Sequence, residues 1–197
     1  TRITFVGALF YLYTPYHLYD LYKRGSAGEI LALAVVPFVL WSIERKSLFW
    51  ISIGFALLIL SHNTLALLFL PIIVLYGLVR KLSTLNSQLS TLILGLGLSA
   101  FFWIPAIFDL QYTVFYQTVI SEWSKYFVNF ELVGISLSVI FAATFILILT
   151  GIIRIDKHRL TVLFFIIGVV SLFFATQISA PLWNFLPVSF VQFPFRL

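Results

Sequence analysis

Residues 48–79 read LFWISIGFALLILSHNTLALLFLPIIVLYGLV. Two apolar runs, Leu48 to Leu60 and Thr64 to Val79, are parted only by Ser61-His62-Asn63. Neither run alternates between apolar and polar residues, as a lipid-facing strand of a closed barrel would. The stretch therefore predicts two helices joined by a very tight polar turn. A hairpin this apolar on all sides has no solvated face, so its solvent is lipid.

The pattern repeats outward from this hairpin. The chain has 197 residues, 61% of them hydrophobic, 18% aromatic and 10% charged, with a mean hydropathy of +1.08. A soluble domain carries about a quarter charged residues, so these side chains cannot coat a water-soluble globule. Ile3 to Tyr13 reads as the end of a helix that begins upstream. Thr14 as N-cap, Pro15 at the first helical position and Gly25 as a stop predict a short interfacial helix over Pro15 to Arg24. Further spans are predicted at Glu29 to Ile43, Leu89 to Phe108, Leu132 to Ile153 and Leu160 to Ile178. Gly95 and Ser99 offer a small-residue packing face in the Leu89 to Phe108 span, and Pro105 predicts a kink or an early exit there. Leu82 to Ser90 reads as a polar linker and Asp109 to Glu131 as an extramembrane loop. Ser179 to Leu197 reads as a surface-lying or re-entrant tail. The expected fold is all-α: a polytopic transmembrane bundle of six to seven spans, one transmembrane domain over residues 1–197, read as an internal piece of a larger protein.

Alternating these spans sorts the charges. Arg2, Arg45, Lys46, Arg80, Lys81, Arg154, Lys157 and Arg159 fall on one side with Glu44 and Asp156. Lys23, Arg24, Lys125 and Arg196 fall on the other with Asp20, Glu29, Asp109, Glu122 and Glu131. The basic side is expected to be cytoplasmic. That placement also accounts for the net charge of +5 without a nucleic-acid partner. With no Cys in the chain, disulfides and thiolate metal sites are excluded.

The polar residues that remain gather on the expected outer side. The stretch Tyr13 to Glu29, YTPYHLYDLYKRGSAGE, puts His17, Asp20 and Arg24 on one helical face. Together they could take a proton, bind a cation or hold a phosphate oxygen, or they could form a solvated surface with a weak Asp20–Arg24 pair. Ser26 to Glu29 matches a capping box, which alone explains Glu29 unless that carboxylate faces the same pocket. His62 and Asn63 read either as an Asn-assisted turn or as substrate contacts. A divalent cation is a candidate cofactor if His17, Asp20, His62 and Asp109 converge. Arg196, following an aromatic cluster, reads as a snorkelling residue or a phosphate clamp. There is no P-loop, nucleophile elbow, zincin motif or dinucleotide-binding glycine pattern.

Pro15-Tyr16-His17, Asp20-Leu21-Tyr22, Arg24-Gly25, Glu29, Ser61-His62-Asn63, Phe102-Trp103-Ile104-Pro105 and Gln192-Phe193-Pro194-Phe195-Arg196 together resemble a known family. It comprises large bacterial polytopic proteins labelled as membrane proteins with a 6-pyruvoyl-tetrahydropterin synthase-related domain. The family is similar to the C-type, polytopic glycosyltransferases. The resemblance implies a multi-pass protein of the bacterial inner membrane that transfers a sugar from a polyprenyl-phosphate donor on the outer face. It implies Asp20 and Asp109 as the catalytic candidates, and His17, Arg24, Glu29, His62, Asn63 and Arg196 as substrate-binding candidates. It also implies that a carboxylate-bearing loop upstream of Thr1 is needed for activity. The rival expectations are a transporter or flippase of lipid-linked glycans, and a non-catalytic membrane scaffold.

Overall fold

The computed structural model describes residues 2–80, 85–112 and 159–183, together with Lys125, Phe127 and Ile146. The chain divides into two compact units, Thr1–Pro105 and Ala106–Leu197. Among the described residues every regular element is helical. In the first unit these are α1 (Arg2–Leu12), α2 (Pro15–Tyr19), a π turn (Asp20–Arg24), α3 (Ala27–Glu44), α4 (Leu48–Ser61), α5 (Asn63–Val79), α6 (Leu85–Leu98) and the start of α7 (Ala100–Asp109). A 3-10 turn (Leu110–Tyr112), α8 (Arg159–Ala175), another 3-10 turn (Gln177–Ser179) and α9 (Ala180–Trp183) belong to the second.

Among the described residues one helix, α3, has the length and apolarity to cross a membrane alone: 18 residues at a hydropathy of 1.7. Two bent pairs, Asn86–Leu98 with Ala100–Tyr112 and Arg159–Ala175 with Gln177–Trp183, would raise the number to three if each pair were one span. The hairpin helices α4 and α5 are apolar but hold 14 and 17 residues. At 1.5 Å per residue, 14 residues reach about 21 Å, short of a hydrocarbon layer about 30 Å thick. The Leu132 to Ile153 span lies, apart from Ile146, outside the described residues.

The central helix of the first unit is α4, packed between α3 and α6. The contacts depend on missing side chains. A Cβ on Gly54 would meet Val39 Cγ2 at 2.8 Å, and one on Gly95 would meet the Ser52 carbonyl oxygen at 2.8 Å. Such close approach is how helices associate where lipid removes the hydrophobic drive. It also lets the Ser52 hydroxyl donate to the Thr91 carbonyl on α6 at 3.0 Å. Ala32, Val39, Ile43, Ile51 and Leu58 fill the centre, while Leu31, Phe49, Leu57, Leu67 and Leu75 stay exposed on the outside. An exterior as apolar as its interior is what a lipid-facing bundle presents.

The helices alternate in direction. Glu29 at the start of α3 lies beside His62 at the α4–α5 turn, and Glu44 at the end of α3 pairs with Arg80 just after α5. Tyr76 also donates to Glu44. Thus α3 and α5 run in parallel with α4 reversed, and each end of the three-helix set carries its own ion-pair cluster. Pro37 inside α3 supplies no N–H to the Leu33 carbonyl. The Tyr11 hydroxyl of α1 donates to that carbonyl instead, at 2.6 Å.

Several local expectations change. The predicted helix over Pro15 to Arg24 splits after Tyr19 into a π turn, which ends at Gly25 with φ 62° as a left-handed cap. Thr14 does not cap α2; its hydroxyl turns back to the Tyr11 carbonyl at the end of α1. Ser26 makes no capping bond either; its N–H, which a capping-box Glu29 would accept, donates to the Asp20 carbonyl at 3.1 Å, and Glu29 takes Arg24. Asn63 does not cap the hairpin turn: it is His62 whose Nδ1 accepts the Leu65 N–H, at 3.3 Å.

The break in the Leu89 to Phe108 segment also falls at Ser99 rather than Pro105. The buried Ser99 hydroxyl bonds back to the Gly95 and Leu96 carbonyls at 3.1 Å each, a pattern that bends helices. The bend between the two helices is 66°, and Trp103 Nε1 clasps it by donating to the Leu96 carbonyl at 2.9 Å. In the second unit the same device recurs. The Ser179 hydroxyl bonds back to the Phe174 and Thr176 carbonyls, and Trp183 Nε1 donates to the Phe174 carbonyl at 3.1 Å across a bend of 75°. Both bends carry Ser-Ala-x-x-Trp, as Ser99-Ala100-Phe101-Phe102-Trp103 and Ser179-Ala180-Pro181-Leu182-Trp183.

Candidate functional site

The π turn decides the site. Its widened turn brings Gly25 and Ser26 back onto the Asp20 carbonyl and sends the chain into α3 with Glu29 facing Arg24. Gly28 completes the approach: a Cβ there would stand 2.8 Å from the Ser61 carbonyl oxygen. The start of α3 can therefore sit directly against the α4–α5 turn that carries His62.

Arg24 is the hub. Its Nη1 donates to Asp20 Oδ1 at 2.5 Å and to Glu29 Oε2 at 2.7 Å, and its Nη2 donates to Glu29 Oε1 at 2.9 Å. This is a bidentate grip on one carboxylate with a second carboxylate on the flank. Tyr16 Oη donates to Glu29 Oε2 at 3.0 Å. His62 Nε2 faces Glu29 Oε1 across 3.6 Å. Because His62 Nδ1 is an acceptor, its ring proton sits on Nε2 and points at Glu29. Asp20 and Glu29 are fully buried, and the Arg24 side chain is 19% exposed.

Burial shifts these groups. Asp20 is pushed up to about 6, first by desolvation and then by its hydrogen bond to Glu29 and that residue's charge, with Arg24 opposing. Desolvation and the Glu29 charge also raise Tyr16, which stays a phenol and a donor. The hydrogen bond to Glu29 heads the effects that raise Arg24, so it remains a cation. The result is a buried acid–base cluster at the end of a helical bundle.

Four of the residues singled out from sequence meet here: Asp20, Arg24, Glu29 and His62. His17 does not join them, but stands edge-on to the Tyr11 ring at 4.8 Å. Asn63 is exposed and lines a neighbouring cavity of about 370 Å³ with Phe55, Ile59, Leu67, Ile93 and Trp103. Asp109 is exposed at the end of α7, in the second unit, and Arg196 lies outside the described residues. Among the described residues, no group of three or more His, Cys, Asp or Glu could hold a metal ion. Tyr16 is the member that sequence reasoning missed. Its 13-residue separation from Glu29 follows no helical or strand period, and its one signal is its place in a Tyr-rich interfacial stretch.

No family model, curated protein or solved structure matches this chain.

Proposed function

We propose that the chain is the multi-pass membrane core of a glycosyltransferase. It would take its sugar from a lipid-phosphate carrier on the outer face of a bacterial inner membrane. The observation that carries this reading is the buried cluster in which Asp20 keeps one carboxylate oxygen without a hydrogen-bond partner beside the Arg24–Glu29 pair. A carboxyl held at about 6 is poised to take a proton from an acceptor hydroxyl near neutral pH. As that oxygen attacks the sugar, the carrier phosphate departs with the electron pair of the glycosidic bond. Arg24 supplies the nearby positive charge. The cavity beside Asn63, walled by hydrocarbon, suits the carrier's chain.

The test is transfer from a radiolabelled polyprenyl-phosphate sugar in proteoliposomes holding the whole protein. Asp20→Asn is expected to lower the rate by about 10²–10⁴-fold, the usual contribution of a general base. Unchanged transfer in both Asp20→Asn and Asp109→Asn would sink the reading.

A transporter or flippase of lipid-linked glycans is the second reading. It is favoured by the two clasped bends with their shared Ser-Ala-x-x-Trp, since interrupted helices in corresponding positions mark the binding regions of many carriers. It predicts movement of a fluorescent lipid-linked glycan across the same vesicles with no glycosidic bond made or broken.

A further inference from the structure

We infer that Asp20 Oδ2 is a reversible proton-binding site: on mild acidification the folded protein takes up one exchangeable proton there, donated in a hydrogen bond toward Glu29. The inference stands apart from either functional reading, because it needs no substrate.

The donors decide which carboxyl carries the proton. Glu29 is supplied on both oxygens, with Oε2 accepting from Arg24 and Tyr16 and Oε1 accepting from Arg24 while facing the His62 N–H. That is the environment of an ionised carboxylate. Asp20 receives Arg24 on Oδ1 alone, while Oδ2 is buried and has no partner. The Asp20 carboxyl also meets the Glu29 carboxyl, itself an acceptor. Two acceptors cannot satisfy one another unless a proton lies between them.

The charges agree. Tyr16 from α2 is a neutral phenol, Arg24 from the π turn is a cation, and Glu29 from α3 is an anion. His62 from the α4–α5 turn is neutral in the tautomer that its Nδ1 contact requires. Lys23 is exposed and His17 is turned to Tyr11, so neither compensates. Among the described residues, an ionised Asp20 would be a second buried carboxylate sharing one guanidinium with Glu29, which is costly. A protonated Asp20 leaves one carboxylate to one guanidinium among these residues and gives Oδ2 a bond to donate. Burial raises the same carboxyl independently of this count. The ligand is a proton, and its binding ties the π turn to α3 and, through His62, to the hairpin.

Infrared difference spectroscopy on the whole protein in lipid, titrated between about pH 4 and about pH 8, reads this directly. The expected result is a protonated-carboxyl C=O band that disappears with a midpoint near pH 6 and is missing from folded Asp20→Asn. Glu29→Gln gives a second arm if Asp20→Asn does not fold. With the competing carboxylate gone, Arg24 is left to Asp20, and the midpoint should fall toward about 4. The inference is overturned if no carboxyl band titrates above about pH 5, if the band persists in folded Asp20→Asn, or if Glu29→Gln leaves the midpoint in place. None of these readouts depends on glycosyl transfer or lipid movement, so the proposed function can fail while the proton site stands, and the reverse.

Discussion

At the scale of the residue, Asp20 and Glu29 show that burial and donor supply, more than residue type, set what a carboxyl does. Both are acids with no exposure, yet one is wrapped in donors and the other is left with a bare oxygen. The stability consequence has a definite sign. The folded Asp20 carboxyl is raised from 3.8 to about 6, so the folded chain binds this proton more tightly than the unfolded one. Its contribution is fully present below about pH 4 and is lost as pH rises through about 6. The stability of the wild type relative to Asp20→Asn should therefore increase on acidification across that window, by roughly 1–3 kcal/mol. Denaturant titrations of both proteins at several pH values measure it; a gap that is flat, or that grows with pH, contradicts the assignment. Sequence spacing did bring Asp20 and Arg24 together, because four residues close about one helical turn. The same spacing rule misplaced His17, whose ring found Tyr11, and it could not foresee Glu29 leaving its capping box for Arg24. The Ser26 N–H that a capping box would offer Glu29 is already given to the Asp20 carbonyl, and a bidentate guanidinium is the stronger donor.

At the scale of the element, the bends are built from side chains that look unremarkable in the sequence. Pro105 was the visible breaker, yet it stands inside α7, which runs on through it from Ala100 to Asp109. The true hinge is Ser99, which returns its hydroxyl to the preceding turn, with Trp103 reaching back to the Leu96 carbonyl. Ser179 and Trp183 repeat the arrangement with the same Ser-to-Trp spacing, although Trp183 reaches further back, to the Phe174 carbonyl. Comparing the two segments side by side would have revealed the shared Ser-Ala-x-x-Trp; span-by-span reading did not. Combining Ser99→Ala with Trp103→Phe removes both clasps and should cost roughly 1–2 kcal/mol, at the modest worth of polar contacts inside membranes. Spin labels at Ser90 and Ile104, both exposed, should then give a longer and broader distance distribution than in the unsubstituted chain. An unchanged distribution would mean that packing, and not the clasp, holds the 66° bend.

At the scale of the whole molecule, the helical class was legible from apolar runs punctuated by short polar turns, and most helix boundaries came within a few residues. Span length was less legible, because hydropathy marks a run as apolar without fixing where its helix starts and stops. The alternation of α3, α4 and α5 places the Arg24–Glu29–His62 cluster and the Glu44–Arg80 pair at opposite ends of the set. If the set lies across a bilayer, those ends face different compartments, and the absence of Cys from the chain makes this simple to check. A membrane-impermeant maleimide added to intact cells should label Asn63→Cys but reach Lys46→Cys only after lysis; labelling of both from outside would rule out a transmembrane α3–α5.

The Tyr11 hydroxyl on the Leu33 carbonyl sets a boundary of another kind. Pro37 opens a gap in the α3 ladder that α3 cannot close for itself, and the donor that closes it is borrowed from α1. Any shortened version of the protein that begins after Tyr13 would leave the Leu33 carbonyl of α3 without that donor. A piece of this protein that keeps the Leu33 carbonyl satisfied in this way therefore includes α1 as well as the Arg24 cluster.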